Sequence, residues 1–212
     1  MKFLMFDTET TNYLECPLCY DFGFSVIDEE GNTYKRGSYV IADVFLDKEL
    51  MKIAYYAEKI PQYQKEIKEG KRILCKWKTL KAIIKETIEE YEIEYVVAHN
   101  ARFDYTSTAV TQRYLTCSKW RYFFPYGTRF VDTLKLARTT FANNEEYIAF
   151  CKENNDLTKH KRPKLTAEVL YRYLTNDPTF VESHTGLEDV DIETAIFLEC
   201  LRRNPAEKGL LW

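Results

Sequence analysis

After its single lysine, the N-terminal run Lys2-Phe3-Leu4-Met5-Phe6 is apolar, shows no alternation, and stops at Asp7. An extended segment without polar alternation is a strand covered on both faces. Covering both faces takes helices on either side of a sheet, so these residues point to an α/β architecture. The rest of the chain fits that frame. Residues 21–27 and 33–41 are β-rich runs joined by the turn cluster Asp28-Glu29-Glu30-Gly31-Asn32, which predicts a hairpin. From 46 to about 70 the Lys/Glu/Tyr-rich chain reads as helical in pieces, interrupted at Pro61. Trp77, Leu80, Ile83, Ile84, Ile88 and Tyr91 recur at helical spacing, predicting an amphipathic helix over 76–91. Residues 94–99 read as a second buried strand, and Asn100 as the N-cap of a helix that starts at Ala101. Residues 129–131 are a third short strand, with Asp132 capping a helix over 133–138. Helices over 164–174 and 187–203 follow. A hairpin followed by strands alternating with helices predicts a mixed sheet, antiparallel at the hairpin and parallel beyond it, flanked by helices.

The 212 residues, 45% of them hydrophobic, with only 7 Gly and 6 Pro, fit one domain over 1–212 around a single core. No apolar run approaches the roughly 20 residues that cross a bilayer. Asp7 and Glu9 break the N-terminal run too early for a signal peptide, and no small-residue cleavage site follows. The expectation is a cytoplasmic protein with no membrane association. A net charge of −3 excludes a globally cationic nucleic-acid binder, although local patches and bound cations decide the field at a site. The six cysteines then read as reduced thiols. Cys16 and Cys19 form a lone CxxC with no second pair and no histidine nearby, which favours a loop holding two thiols over a metal or redox site.

The chemistry lies in the acidic residues. Asp7 and Glu9, two apart in an extended chain, point to one face, so both carboxylates can grip one cation. Open α/β sheets place ligand sites at the carboxyl ends of parallel strands, where Asp7 and Asn100 fall. Asp104 follows in the first helical turn after the second strand. Asp189 opens the last helix on the same face as Ile192 and Ile196, aimed at the core, where a carboxylate needs a partner or a metal. Four converging carboxylates call for divalent cations, and oxygen-only ligands suit Mg²⁺ or Mn²⁺. Two such ions about 4 Å apart stabilise the attacking and leaving oxygens in phosphodiester hydrolysis. His184, five residues before Asp189, is placed to take a proton from the attacking water. Taken singly, each of these residues has an ordinary structural reading: a strand end, a surface histidine, a helix cap. Their combination is what points to a site.

Phe6-Asp7-Thr8-Glu9-Thr10-Thr11, Ala98-His99-Asn100-Ala101-Arg102-Phe103-Asp104 and His184-Thr185-Gly186-Leu187-Glu188-Asp189 resemble, in order, the three motifs of the DnaQ-like DEDDh exonucleases. That group includes the proofreading epsilon subunit of bacterial replicative polymerase, ribonuclease T and oligoribonuclease. The segment 131–137 resembles the strand-to-helix element lying between the second and third motifs. The resemblance spans residues 3 to about 201 and implies a ribonuclease H-like fold and 3′→5′ exonuclease activity. It implies that Asp7, Glu9 and Asp189 hold one metal and Asp7 and Asp104 a second, with His184 as general base. Thr185 stands where the sister subgroup carries tyrosine, which favours the histidine version. Gly186 and Val190 depart from the alanines usual at their positions, and residues 143–163 match no family element.

Implied partners are single-stranded DNA or RNA, with a polymerase or another replication protein as a further partner. Thr8, Thr10, Asn100 and Phe103 are candidate contacts to the terminal nucleotide, set against turn chemistry for the threonines, capping for Asn100 and core packing for Phe103. His99 reads as a hydrogen-bonded structural residue and His160 as solvated. Between Gln112 and Arg138 six basic residues face one acid, interleaved with Trp120, Tyr122, Phe123, Phe124 and Tyr126, a composition suited to phosphates and bases. Lys159-His160-Lys161-Arg162-Pro163-Lys164 is a second basic run. The rival readings are a non-catalytic or partner-dependent nucleic-acid-binding subunit and an internally cutting nuclease.

Overall fold

The computed structural model describes residues 1–11 and 16–204. Strand β1 (Lys2–Thr10) pairs antiparallel with β2 (Cys19–Asp28), which pairs antiparallel with β3 (Thr33–Ile41). The expected hairpin turn between β2 and β3 is closed by the Asp28 carboxylate, which accepts the amides of Glu30 and Asn32. Two single-turn helices follow, α1 (Ala42–Phe45) and α2 (Lys48–Met51), then α3 (Ile60–Lys68), β4 (Ile73–Cys75), α4 (Trp77–Glu90) and β5 (Tyr95–Ala98). The chain continues through α5 (Ala101–Thr116), β6 (Arg129–Asp132), α6 (Thr133–Phe141), α7 (Glu145–Glu153), α8 (Ala167–Thr175) and α9 (Gly186–Arg203). The six strands run β4-β3-β2-β1-β5-β6 across one sheet. β5 and β6 are parallel to β1, and β4 is parallel to β3. This is the mixed α/β sheet, antiparallel at the hairpin and parallel beyond it, that the sequence pattern predicts.

The unalternating start of β1 has its explanation in the packing. Leu4 and Phe6 enter a core completed by Tyr63 of α3, by Trp77, Leu80 and Ile84 of α4, and by the loop residues Phe123 and Phe124. Phe3 and Met5 enter the opposite core with Leu136, Tyr147, Leu170 and Ile196 from α6 to α9. Each face of the strand buries its own apolar set. Helix α4 turns Trp77, Leu80, Ile84 and Ile88 inward, as its spacing predicts. The Trp77 indole donates to the Gln112 side chain at 2.8 Å, which satisfies both buried polar groups.

Four details differ from the sequence expectation. β1 does not end at Phe6 but continues to Thr10, because the ten wholly buried residues of β2 supply it with a hydrogen-bonding partner throughout. Pro61 lies in the first turn of α3 rather than interrupting a helix, and at that position its missing N–H costs nothing. Asn100 precedes α5 in the left-handed conformation (φ 63°) with no side-chain cap bond; its own amide donates to Asp132. The unmatched stretch after residue 143 contains α7, capped by Asn144, with Tyr147 and Cys151 fully buried. Of the CxxC pair, Cys16 is exposed and Cys19 is buried, its thiol directed at the Asp21 carbonyl. Among the described residues no helix is long and apolar enough to cross a membrane.

The N-terminus of α9 lies directly on β2. A Cβ built on Gly23 would overlap the Gly186 carbonyl, and one built on Gly186 would fall 2.8 Å from the Gly23 nitrogen. The backbones touch, and neither can retreat as a side chain would. A buried ion-pair network locks the same junction. Arg72 donates to Asp21, Glu66, Glu188 and the Ser38 hydroxyl, while Asp21 also accepts from the Gly186 amide (2.9 Å) and the Tyr63 hydroxyl (2.7 Å). We expect Gly23→Ala to cost about 1–3 kcal/mol in urea unfolding, the usual penalty of overpacking. Gly70→Ala, whose Cβ meets nothing within 4 Å, is the comparison without a clash; its own cost is the left-handed strain at a φ of 73°. An unshifted midpoint for Gly23→Ala would show that the junction yields.

Candidate active site

β1 is flanked by β2 and β5 only as far as Met5, which pairs with Val97. Beyond that point β5 turns away through His99 and Asn100 into α5, and the two chains part. The gap lies at the carboxyl ends of parallel strands where the connections diverge to opposite sides, the position at which open α/β sheets form crevices. Here the cleft has a volume of about 660 Å³ and is lined by Asp7, Glu9, Asp104, Asp189, His184 and Glu193, among others.

Each carboxylate arrives on a different support. Asp7 and Glu9 ride the free end of β1, opposite Gly23 and Asp21 of β2. Asp104, in the first turn of α5, is 2% exposed, and its Oδ1 accepts from the Thr8 amide (3.2 Å) and the Thr8 hydroxyl (2.8 Å). Asp189, in the first turn of α9, accepts from the Thr185 amide (3.0 Å) and the Ser183 hydroxyl (3.3 Å). Ligand atoms of Glu9, His184 and Asp189 all lie within 4.8 Å of one another. The structure therefore brings together all five residues singled out from the motifs.

Their electrostatics are those of crowded, largely buried anions with Lys59 as a counter-charge to Glu9 and Asp189. Burial, followed by the nearby Asp189 and Asp21, pushes Glu9 up to about 9. Burial also raises Asp104 and Asp189 to about 7 each. Asp7 is driven well above the ordinary carboxylate range by burial and then by Glu193, Asp104 and Glu9. Carboxylates in this condition either hold protons or share a cation. Carboxylate oxygens converging on one cleft, with the His184 imidazole beside them, fit a divalent cation. Burial and then the Lys59 charge lower His184, so its imidazole is neutral at pH 7 and free to accept a proton.

His184 is held by groups that sequence reasoning did not find. Its ring stacks on Tyr56 with centroids 4.5 Å apart and planes 10° from parallel. Lys59 donates to the carbonyls of Ser183 and His184, and the Glu182 carboxylate stands 3.9 Å from Nδ1. The residue itself takes a left-handed φ of 49°, a strained conformation that this surrounding structure maintains. Glu193 was also missed: one turn after Asp189 on the same face of α9, it is 4% exposed and accepts the His99 amide at 3.0 Å. A carboxylate at i+4 from Asp189 in a buried helical face was its one available signal. Tyr56 and Lys59 gave none, since their partner lies more than a hundred residues away.

All four candidate contact residues, Thr8 included, line the cleft. Thr8 is buried and its hydroxyl is engaged by Asp104 and Ser107, so it also orients a carboxylate. His99 is structural, its ring joining Thr133 Oγ1 (2.8 Å) to the Leu165 carbonyl (2.9 Å).

No protein-family model matches the chain, and no curated protein sequence matches it. Solved structures do. The sheet order and its helical layers superpose on E. coli exonuclease I bound to a dA16 oligonucleotide, with a TM-score of 0.58 at 17% identity over 96% of this chain. The chain has the exonuclease I fold. The exonuclease I of Methylocaldum szegediense gives a TM-score of 0.57 at 18% identity over 97% of this chain. A zinc-bound E. coli exonuclease I complex with single-stranded DNA gives the same two values over the same share. The chain spans about two fifths of the length of these exonuclease I chains, 41% in each case.

The raised carboxylates make metal-free stability depend on pH. Asp104 and Asp189 move from 3.8 to about 7 on folding, and Glu9 from 4.5 to about 9. Between those limits the folded state binds more protons than the unfolded one, so stability falls as pH rises. In EDTA the melting temperature should drop between about pH 6 and about pH 9. Saturating Mg²⁺ or Mn²⁺ should raise it, and by more at the higher pH. Asp7→Asn should flatten both trends. A metal-induced gain that is the same at every pH would contradict this electrostatic account.

Proposed function

We propose that the chain is a metal-dependent 3′→5′ exonuclease that removes nucleoside monophosphates from single-stranded DNA or RNA ends. The observation that carries this reading is the meeting of Asp7, Glu9, Asp104 and Asp189 with a neutral His184 in one cleft at the carboxyl ends of the parallel strands. Likeness to exonuclease I structures that hold single-stranded DNA supports the substrate class.

In this reading Asp7, Glu9 and Asp189 hold one divalent cation, and Asp7 and Asp104 a second. Two such ions, when bound, supply positive charge to the reacting phosphodiester. His184 accepts a proton from the attacking water as the new P–O bond forms. The bond from phosphorus to the 3′ oxygen of the preceding nucleotide breaks, and that oxygen leaves as a hydroxyl with a proton from solvent. The Tyr56 ring and the Lys59 ammonium keep His184 in place for that transfer. Thr10, Asn100 and Phe103, along the cleft, contact the terminal nucleotide.

The test uses 5′-labelled single-stranded DNA and RNA of one sequence, with Mg²⁺ or Mn²⁺. A product ladder receding from the 3′ end, abolished by EDTA and by Asp7→Ala, is expected. The faster substrate gives the sugar preference. His184→Gln should lower kcat by about 10²–10⁴ with little change in KM, the usual worth of a general base. Folded protein that shortens neither strand at any pH tried would overturn the exonuclease reading and leave a partner-dependent or binding-only subunit.

A further inference from the structure

The lining of the cleft carries charges of both signs. Besides the carboxylates, the cleft is lined by Arg138, from the last turn of α6, and by Arg162 and Lys164, from the segment between α7 and α8. That segment carries the second basic run of the sequence, in a stretch that matches no family element. It is a built hairpin. Leu157 and Pro163 form an antiparallel bridge, the Thr158 amide donates to the Arg162 carbonyl (2.7 Å), and Lys161 turns the corner with a φ of 58°. Two bonds anchor its exit. The Tyr147 hydroxyl donates to the Lys164 carbonyl at 2.6 Å, and the Leu165 carbonyl meets the His99 ring at 2.9 Å. His99 belongs to the turn that delivers Asp104, so the hairpin is fixed relative to the carboxylates.

Of these three cations only Lys164 is in an ion pair among the described residues. Lys164 reaches Asp156 at 3.2 Å and shares it with Arg172. Arg138 and Arg162, both exposed, have no carboxylate partner among the described residues. A polyanionic strand entering this cleft meets cations at the carboxylates for one phosphate only. Its remaining phosphates face Asp7, Glu9 and Glu193 uncompensated unless the rest of the lining supplies positive charge. A guanidinium matches two phosphate oxygens at once.

We infer that Arg138 and Arg162, with Lys164 beside them, form a phosphate-binding wall that holds non-scissile phosphodiesters of the substrate strand on the 5′ side of the cleaved linkage. The inference rests on the exonuclease reading and adds what that reading lacks, the path by which the strand leaves the site. The wall reads charge, so it serves DNA and RNA alike and gives no sequence preference.

The experiment compares wild type with the double variant Arg138→Gln/Arg162→Gln. Substrates are single-stranded oligonucleotides, either unmodified or carrying one neutral methylphosphonate at the second, third or fourth linkage from the 3′ end. Wild type should lose kcat/KM for at least one of the neutralised positions, through KM. The double variant should show a raised KM on the unmodified strand with kcat nearly unchanged. Its dependence of log kcat/KM on log salt should be shallower by about 0.7 for each phosphate no longer neutralised. The methylphosphonate penalty should vanish in the variant, because the wall that senses the missing charge is gone. Lys159→Gln, on the same hairpin but outside the cleft lining, should behave as wild type. A double variant with the wild-type salt slope and the full methylphosphonate penalty would overturn the wall while leaving the exonuclease intact. Wild type that degrades no strand would instead overturn the exonuclease reading, and the wall with it.

Discussion

Like charges in a low-dielectric setting repel strongly, and a fold that gathers carboxylates behind its own backbone has to hold them there by force applied elsewhere. Asp7, Glu9, Asp104, Asp189 and Glu193 are in that condition, each pushed above its ordinary ionisation range by burial. The force comes from packing. Phe3 to Phe6 seat β1 between two apolar cores. Ile192 and Ile196 draw α9 down onto the sheet, and Asp189 and Glu193 travel with it. The helix is stopped by backbone contact at Gly23 and by the Arg72 network. The apolar cores thus do the work that a metal ion would otherwise have to do alone.

Much of this was legible in the sequence because it depends on short-range pattern. A run of apolar residues ending in Asp-x-Glu specifies both a doubly buried strand and the face its acids share. The hairpin turn and the periodicity of α4 are likewise local. Asp132 capped its helix as expected because an aspartate before Leu134 needs no distant partner to accept that amide. What escaped notice is non-local. The end of β1 depends on β2, whose ten buried residues carry the ladder past Phe6. Glycine at 186 looked like a mild departure from a motif; its reason is Gly23, far away in the chain. Glu193 reads as an ordinary helical glutamate until α9 is docked.

The segment after residue 143 shows the same limit from another side. Its composition is polar, with acids and bases in equal number, which resembles a solvated loop. Its order comes instead from few contacts of high value: a buried tyrosine whose hydroxyl holds the Lys164 carbonyl, one β-bridge, and a histidine ring spanning two elements. Hydrophobic periodicity does not register such links, since single polar atoms make them.

The docking of α9 on β2 also bears on when this molecule becomes competent. The strand that carries Asp7 and Glu9 is synthesised well before the helix that supplies Asp189 and the residues around His184. Contacts between chain segments so far apart close slowly, because loop entropy must be overcome before they form. At ordinary translation speeds about 10–40 s separate the emergence of Asp7 from that of Asp189. Throughout that interval a nascent chain has half a site and no histidine beside it. A site whose groups come from segments so widely separated is incomplete while the ribosome is still reading the message between them.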